Sequence, residues 1–478
     1  MGLKSDNYAV VLAGGQGSRF WPQSRTLEPK QFLSLHKDFS LFEQTLSRLK
    51  HLVAPNRVYV VTSSLYEQQV NDLASKFSIP GGNLIFEPEG KNTAPSIALA
   101  ANLIFKTDED AKICVLPCDH LIKNDSRFIA LLSNAFQQCH DSVMVLGIPP
   151  TRPSTGYGYI KAKLIKDWSS KKPLAVDKFC EKPDLKTAER FLKQGCYFWN
   201  SGIFIAKAKT FILEFKDKLP KLYSQITGMR GCCIDASVWH RVQPISFDYG
   251  VLERTDKLNM LVASNLGWSD LGSWQAWDEV LKKDKFGNLL KADVINIDSK
   301  NLTVVGNNRL IATIGLDDLI VVDTPDALLI SKKDRTEEVK KVVDTLKKNK
   351  REEFYSHKTV KRPWGQYTII GLGEYFKIKL VEVNPGKSLS LQLHNKRSEH
   401  WVVVEGQAVV VKGKSRHRLN TNESLYVPMG CVHRLINPAN KLLRIVEVQT
   451  GKYLGEDDII RLKDVFGRIC AGVKNDKK

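Results

Sequence analysis

The sequence predicts a chain of three parts: an α/β domain over residues 1–285 on a mostly parallel, helix-covered sheet, a β-rich linker ending in a basic helix over 286–352, and an all-β domain over 353–478. Three observations carry this. Short apolar runs alternate with helical stretches as far as about Trp277, the helical texture then stops, and from Tyr367 to Val448 the chain alternates and turns at Gly, Asn and Pro. At 478 residues the chain is also too long for one ordinary core.

In the first part, Tyr8–Ala13 (YAVVLA), Val58–Thr62, Ile113–Leu116 and Val143–Leu146 have the continuous apolar character of buried strands. Helical stretches separate them, including SIALAANLIF, with a cap expected at Asn92 or Thr93 and Pro95 in the first turn. Strands alternating with helices form a parallel sheet, whose ligands bind at the carboxyl ends of the strands. Residues 288–330 show short β-runs broken by turns. Val339, Val342, Val343 and Leu346 then fall at helical spacing in a lysine-rich stretch, so its charges form a solvated helix face. The last part is expected to be a sandwich or small barrel.

No run approaches the roughly 20 apolar residues of a membrane span, and MGLKSDNY lacks a signal-peptide core, so a cytoplasmic protein is expected. The nine cysteines have no framework spacing; Cys114 and Cys118 are expected as reduced core filler. The net charge of +19 is spread along the chain, which favours small anionic substrates over nucleic acid.

The first strand runs into Gly14-Gly15-Gln16-Gly17-Ser18-Arg19. Such a loop lets backbone approach a ligand and cradle phosphate. Phe20 stands where a dinucleotide fingerprint needs its third glycine, and no Gly-Lys-Ser/Thr follows, so neither that motif nor a P-loop is present. Arg19 and Lys30 add the cations that a polyphosphate and its leaving group require. Asp119, just past a strand, and Asp270, in WSDLGSW, suit Mg²⁺ held against phosphates, or are simple turn residues. His120 is expected as a structural hydrogen bonder.

The stretch LAGGQGSRFWPQSR…PKQF, with EPEGKNTAPSIALAA, LPCDHLI, TGYGYI, FCEKP, FWNSGIF, FDYGVLE and WSDLGSW in order, resembles the sugar nucleotidyltransferases, particularly mannose-1-phosphate guanylyltransferases. The resemblance implies a Rossmann-like nucleotidyltransferase domain. By it Gly14, Gly15 and Gly17 contact the nucleotide, Arg19 and Lys30 its phosphates, and Asp119 and Asp270 a Mg²⁺ ion. Lys182 binds the sugar phosphate, Glu181 and Asn200 the sugar hydroxyls, with Gly156 and Tyr157 nearby. Phe20 and Gln23 replace usual leucines, Ser154 a usual glutamate and Gly250 a usual alanine.

In LSLQLHNKRSEHW and VPMGCVHRLIN, Gln392 and His394 lie two apart and share a strand face, while Glu399 and His433 come from later segments. One amide oxygen, one carboxylate and two imidazoles suit a divalent metal with open positions. These motifs resemble the cupin signatures, the first specifically that of bifunctional phosphomannose isomerases. The resemblance implies a cupin domain with Gln392, His394, Glu399 and His433 on a metal, usually zinc, and Arg397 as a substrate-phosphate or catalytic residue. The motifs assign no isomerase base; His400 is one candidate. Asn395 and Lys396 stand where the family often has histidines, and Asn422 where it has glycine.

The resulting expectation is an enzyme using GTP and mannose 1-phosphate at one end and mannose 6-phosphate and fructose 6-phosphate at the other. A phosphomutase must act between the two steps. The alternatives are a guanylyltransferase with a structural or regulatory cupin domain, and a non-catalytic sensor or nucleic-acid binder. Homodimerisation through 288–330 is a further expectation.

Overall fold

All four apolar runs expected as strands lie in one nine-stranded sheet. The computed structural model describes residues 6–34, 39–163, 172–229, 234–307 and 309–463. The chain divides into two compact units, one ending at Phe354 and the next starting at Tyr355.

The strands of this sheet are β1 (Asn7–Ala13), β2 (Val58–Ser63), β3 (Leu84–Glu87), β4 (Lys112–Pro117), β5 (Val143–Ile148), β6 (Tyr159–Ala162), β7 (Leu174–Cys180), β8 (Tyr197–Lys207) and β9 (Leu258–Val262). Their order is β3-β2-β1-β4-β8-β5-β9-β7-β6. β3, β2, β1 and β4 run parallel, as do β5 and β9, while β8 enters antiparallel to both β4 and β5. Because β1 lies between β2 and β4, the chain leaves it in opposite lateral directions. The carboxyl ends of β1 and β4 therefore open a crevice, which sets the glycine loop beside Asp119.

Helices cover the sheet. The helix Thr93–Thr107 is capped by Asn92, whose side chain accepts from Thr93 N, and it buries ten of its fifteen residues. Asn92 has φ +70°, a conformation asparagine tolerates better than most residues. Cys114 and Cys118 are buried core residues.

After the sheet come β10 (Leu289–Lys291), β11 (Val294–Ile297), β12 (Thr303–Val305), β13 (Ile311–Ile314), β14 (Leu319–Asp323) and β15 (Leu328–Lys332). β10, β12 and β14 form one parallel ladder and β11 and β13 another, so the chain winds in coils. β15 closes the first ladder antiparallel. The basic helix spans Val339–Lys348. Val339 and Val343 are buried and Leu346 packs against them, but Val342 is 39% exposed. Leu289, Ile320, Val322, Val339, Val343 and Phe354 share a core with Phe20, Trp21, Leu271, Trp274 and Trp277. The coil thus forms the back wall of the glycine loop.

The second unit contains β16 (Thr359–Arg362), β17 (Gly365–Leu372), β18 (Phe376–Val383), β19 (Leu391–His394), β20 (Ser398–Glu405), β21 (Gln407–Lys412), β22 (Ser415–Asn420), β23 (Ser424–Val427), β24 (His433–Ile436), β25 (Leu443–Thr450) and β26 (Ile459–Lys463). They form two sheets, β16-β17-β18-β25-β20-β23 and β22-β21-β24-β19-β26. Buried residues alternate along β18, β20 and β25, as two sheets closing on a shared core require.

Candidate active sites in the two units

Leu121 and Ser269 exchange both backbone hydrogen bonds, at 2.9 and 3.0 Å. This bridge draws the loop after β4, with Asp119, onto the segment carrying Asp270. Lys30 Nζ lies 2.7 Å from Asp119 Oδ2 and donates to Asp270 O at 2.7 Å and Leu271 O at 3.1 Å. Its three donors are thereby engaged. The Lys30 ammonium overcomes the burial that would raise Asp119 and holds its carboxyl below the usual aspartate value. Tyr157 Oη donates to Asp270 Oδ1 at 2.8 Å, and Gly272 N to the same oxygen at 3.0 Å. Tyr157 packs against Trp199 and Trp268, and so joins the sugar-side motif to Asp270. His120 accepts from Trp268 Nε1 at 3.2 Å, the structural position expected of it.

Gly14 and Gly15 face open space, whereas Gly17, at φ +60°, is held against Lys30 so closely that a Cβ would collide with the Lys30 side chain. Ser24 Oγ donates to Gly17 O at 2.6 Å and fixes the turn. Arg19 follows on a short 3-10 turn and pairs with Glu337, both ends being solvent-exposed. Phe20, the replaced leucine, is fully buried with its ring 4.7 Å from that of Trp274.

The sugar-side residues form a second cluster. Glu181 Oε1 lies 2.9 Å from Lys182 Nζ, while its Oε2 is buried without a hydrogen-bond partner. A Cβ on Gly158 would strike that same oxygen. Lys182 has φ +45°, a conformation a lysine rarely adopts unless its surroundings impose it. Asn200 Nδ2 donates to Asp248 Oδ1 at 2.7 Å, and Asn200 Oδ1 accepts from Gly202 N at 3.0 Å. Gly156 N donates to Ser154 Oγ at 3.3 Å. Asp248, the second residue of the motif FDYGVLE, joins this cluster without any signal in the sequence. Burial, reinforced by Glu181, pushes its carboxyl up to about 6.

In the second unit His394, Glu399 and His433 offer ligand atoms all within 4.8 Å of one another, and all three are buried. His394 Nε2 is 3.1 Å and His433 Nε2 3.6 Å from the two Glu399 oxygens, yet neither nitrogen makes a hydrogen bond. His433 Nδ1 lies 2.9 Å from Cys431 O, which fixes the tautomer and leaves Nε2 a lone pair. Nitrogens converging on a carboxylate without hydrogen-bond geometry fit a divalent metal site. Gln392 sits opposite His433 in the β19–β24 ladder, its Oε1 accepting from Ser390 Oγ at 2.8 Å. Arg397 Nε donates to Glu399 Oε1 at 3.2 Å and Nη1 to Gly455 O at 2.8 Å. The pocket beside the cluster is lined by Arg362, Lys379, Gln392, Arg397, Glu447 and Arg461, among others.

His400 is displaced from this site. It follows Glu399 on a strand of period two, so it points to the outer face, where Nε2 lies 3.3 Å from Ser424 Oγ. Lys396 is exposed with Nζ over the Tyr453 ring, and Asn395 N and Lys396 N donate to Asp458, so neither departure obstructs the pocket. Asn422 takes φ +72°, as the glycine it replaces would.

A family model described as nucleotidyl transferase matches residues 8–285, and one described as mannose-6-phosphate isomerase C-terminal matches 349–464. Between them, residues 292–346 match a MannoseP isomerase/GMP-like beta-helix domain. The alginate biosynthesis protein AlgA of Pseudomonas syringae pv. tomato is 40% identical, over 97% of this chain and 98% of its own. Mannose-1-phosphate guanylyltransferase of Salmonella muenchen is 39% identical, over 96% of this chain and 98% of its own. The crystal structure of mannose-1-phosphate geranyltransferase from Thermus thermophilus superposes with a TM-score of 0.65 at 30% identity, covering 72% of this chain and 99% of that one. The chain belongs to the nucleotidyl transferase family, in the mannose-1-phosphate guanylyltransferase/AlgA group, and carries a mannose-6-phosphate isomerase C-terminal domain.

Proposed function

We propose that the first unit transfers GMP from GTP to mannose 1-phosphate, giving GDP-mannose and pyrophosphate, and that the second interconverts mannose 6-phosphate and fructose 6-phosphate. The observation that carries the first reaction is the Asp119–Lys30–Asp270 arrangement beside an open glycine loop. Mg²⁺ held by Asp119 and Asp270 would neutralise triphosphate charge, and the ionised state that Lys30 imposes on Asp119 fits that role. A sugar-phosphate oxygen attacks the α-phosphorus in line while the bond to the bridging oxygen breaks and its electron pair leaves with pyrophosphate. The attacking phosphate is already anionic, so no base is required. Gly14, Gly15 and Gly17 present backbone to the nucleotide. Arg19 turns from Glu337 to the phosphates, an exchange that costs little because the pair is exposed. Lys182 takes the sugar phosphate, and Glu181, Asn200, Gly156 and Tyr157 surround the sugar; the unpartnered Glu181 Oε2 supports a hydroxyl contact.

In the second unit Gln392, His394, Glu399 and His433 would hold Zn²⁺, which polarises the C1/C2 oxygens of an open-chain sugar phosphate when bound. Arg397 steadies Glu399 and contributes charge to the pocket. The polar character of both sites favours metabolites over nucleic acid, and among the described residues no helix is long and apolar enough to cross a membrane. A cytoplasmic location accords with the free, buried cysteines Cys114, Cys118 and Cys139. Homodimerisation through the coil is supported by its exposed Ile295, Ile297, Ile314 and Ile330.

The isomerase reading is tested by bound-metal analysis together with turnover of mannose 6-phosphate. Turnover with about one divalent ion per chain supports it. Metal without turnover would leave a guanylyltransferase whose cupin domain is regulatory.

A further inference from the structure

Isomerising an aldose phosphate requires a group that removes a proton from one carbon and returns it to the next. His400, one candidate from the sequence, lies on the outer face of its strand. Among the described residues the pocket lining holds three carboxylates, those of Glu399, Glu447 and Glu456. Glu399 belongs to the metal cluster. Glu456 is half-exposed and paired with Lys379 at 2.6 Å. Tyr367 is a phenol capped by Lys379 and cannot act as a ready base.

Glu447 remains. It is 5% exposed, on β25, opposite Lys379 of β18 and Trp401 of β20. Gln449 Nε2 donates to Glu447 Oε1 at 2.6 Å and to Glu399 Oε1 at 3.1 Å, so a single amide sets the distance between this carboxylate and the cluster. Among the described residues no ion pair is formed by Glu447, unlike Glu456 with Lys379. A buried carboxylate with no ion-pair partner among the described residues, lining a pocket that also holds Arg362, Lys379 and Arg397 one side chain from the candidate metal site, is expensive to maintain structurally.

Resting on the isomerase reading, we propose that Glu447 carries the proton between C2 and C1 of the open-chain sugar phosphate. Its carboxylate takes the proton from C2 as that C–H bond breaks; the electron pair forms the C1=C2 bond, the C1=O π pair moves onto the C1 oxygen, and that oxygen takes a proton from water. The C2 hydroxyl then loses a proton to water, the C2 carbonyl forms, and C1 takes the proton back from Glu447. The net change moves one hydrogen from C2 to C1 and one from O2 to O1, with no oxidant or reductant consumed.

The test uses the full-length, metal-loaded chain with Glu447→Gln and Glu447→Asp. Readouts are isomerase kcat and KM, loss of deuterium from mannose 6-phosphate labelled at C2, bound metal, and pyrophosphate release as a check on the other unit. In Glu447→Gln, kcat is expected to fall by about 1,000-fold with deuterium loss abolished. KM, bound metal and pyrophosphate release should stay at wild-type values, and Glu447→Asp should recover part of the rate. Turnover by Glu447→Gln within about tenfold of wild type, or a rate loss accompanied by metal loss, would overturn the proposal. An inactive wild type that holds its metal would instead overturn the isomerase reading beneath it.

Discussion

Lys30 Nζ bridges two chain segments, lying 2.7 Å from Asp119 Oδ2 while donating to the backbone oxygen of Asp270 at 2.7 Å. One buried cation therefore fixes both proposed Mg²⁺ ligands. Lys30→Met should free Asp119 and leave its position to chance. Pyrophosphate release is expected to drop by about 100- to 1,000-fold, the range for losing a preorganised charge, while the isomerase rate is unchanged. Steady-state assays of both activities on one preparation check this.

Arg25 and Asp326 form a buried ion pair at 3.1 Å that ties the glycine-loop segment to the coil. Removing one partner strands a buried charge, so Asp326→Ala should lower the stability of the first unit by about 3–5 kcal/mol. Replacing both with apolar residues should cost much less. Calorimetry of the two variants separates the outcomes.

Removing metal should divide the activities. Dialysis against a chelator is expected to abolish isomerisation, with pyrophosphate release restored by Mg²⁺ alone and isomerisation only by Zn²⁺ or a similar ion. His433→Ala should resist that second rescue, because Nε2 is the lone pair aimed at Glu399. Elemental analysis before and after re-addition measures the effect.

Glu87 gives a pH signature. Burial pushes its carboxyl from 4.5 up to about 7, with Ser96 Oγ donating to it. The folded state thus binds the proton more tightly than the unfolded chain. Stability is fully present below the unfolded value and falls as pH rises through the window from 4.5 to about 7. The loss is on the order of 3 kcal/mol. Glu87→Gln should lose this slope, so denaturant unfolding at pH 5 and pH 8 should show the variant gaining on wild type at the higher pH.

The strands of the first sheet were legible because burial on both faces leaves continuous apolar runs such as YAVVLA. The convergence of His394, Glu399 and His433 was legible in part, because these donor types fall inside two short motifs. The period-two alternation of the strand already separates His400 from its neighbour Glu399, one exposed and the other buried. Other features depend on contacts no local pattern carries. Tyr157 reaches Asp270 across 113 residues, and the coil's Val339 and Val343 pack behind Phe20. Asp248 starts a short helical segment and Glu447 is a single acid within an apolar strand, and only the fold shows what they face.

The central claim is tested most directly by pyrophosphate release from mannose 1-phosphate with each NTP and Mg²⁺, comparing wild type with Asp270→Ala. The account predicts release selective for GTP and lost in the variant. No release with any NTP, or undiminished release by Asp270→Ala, would contradict it.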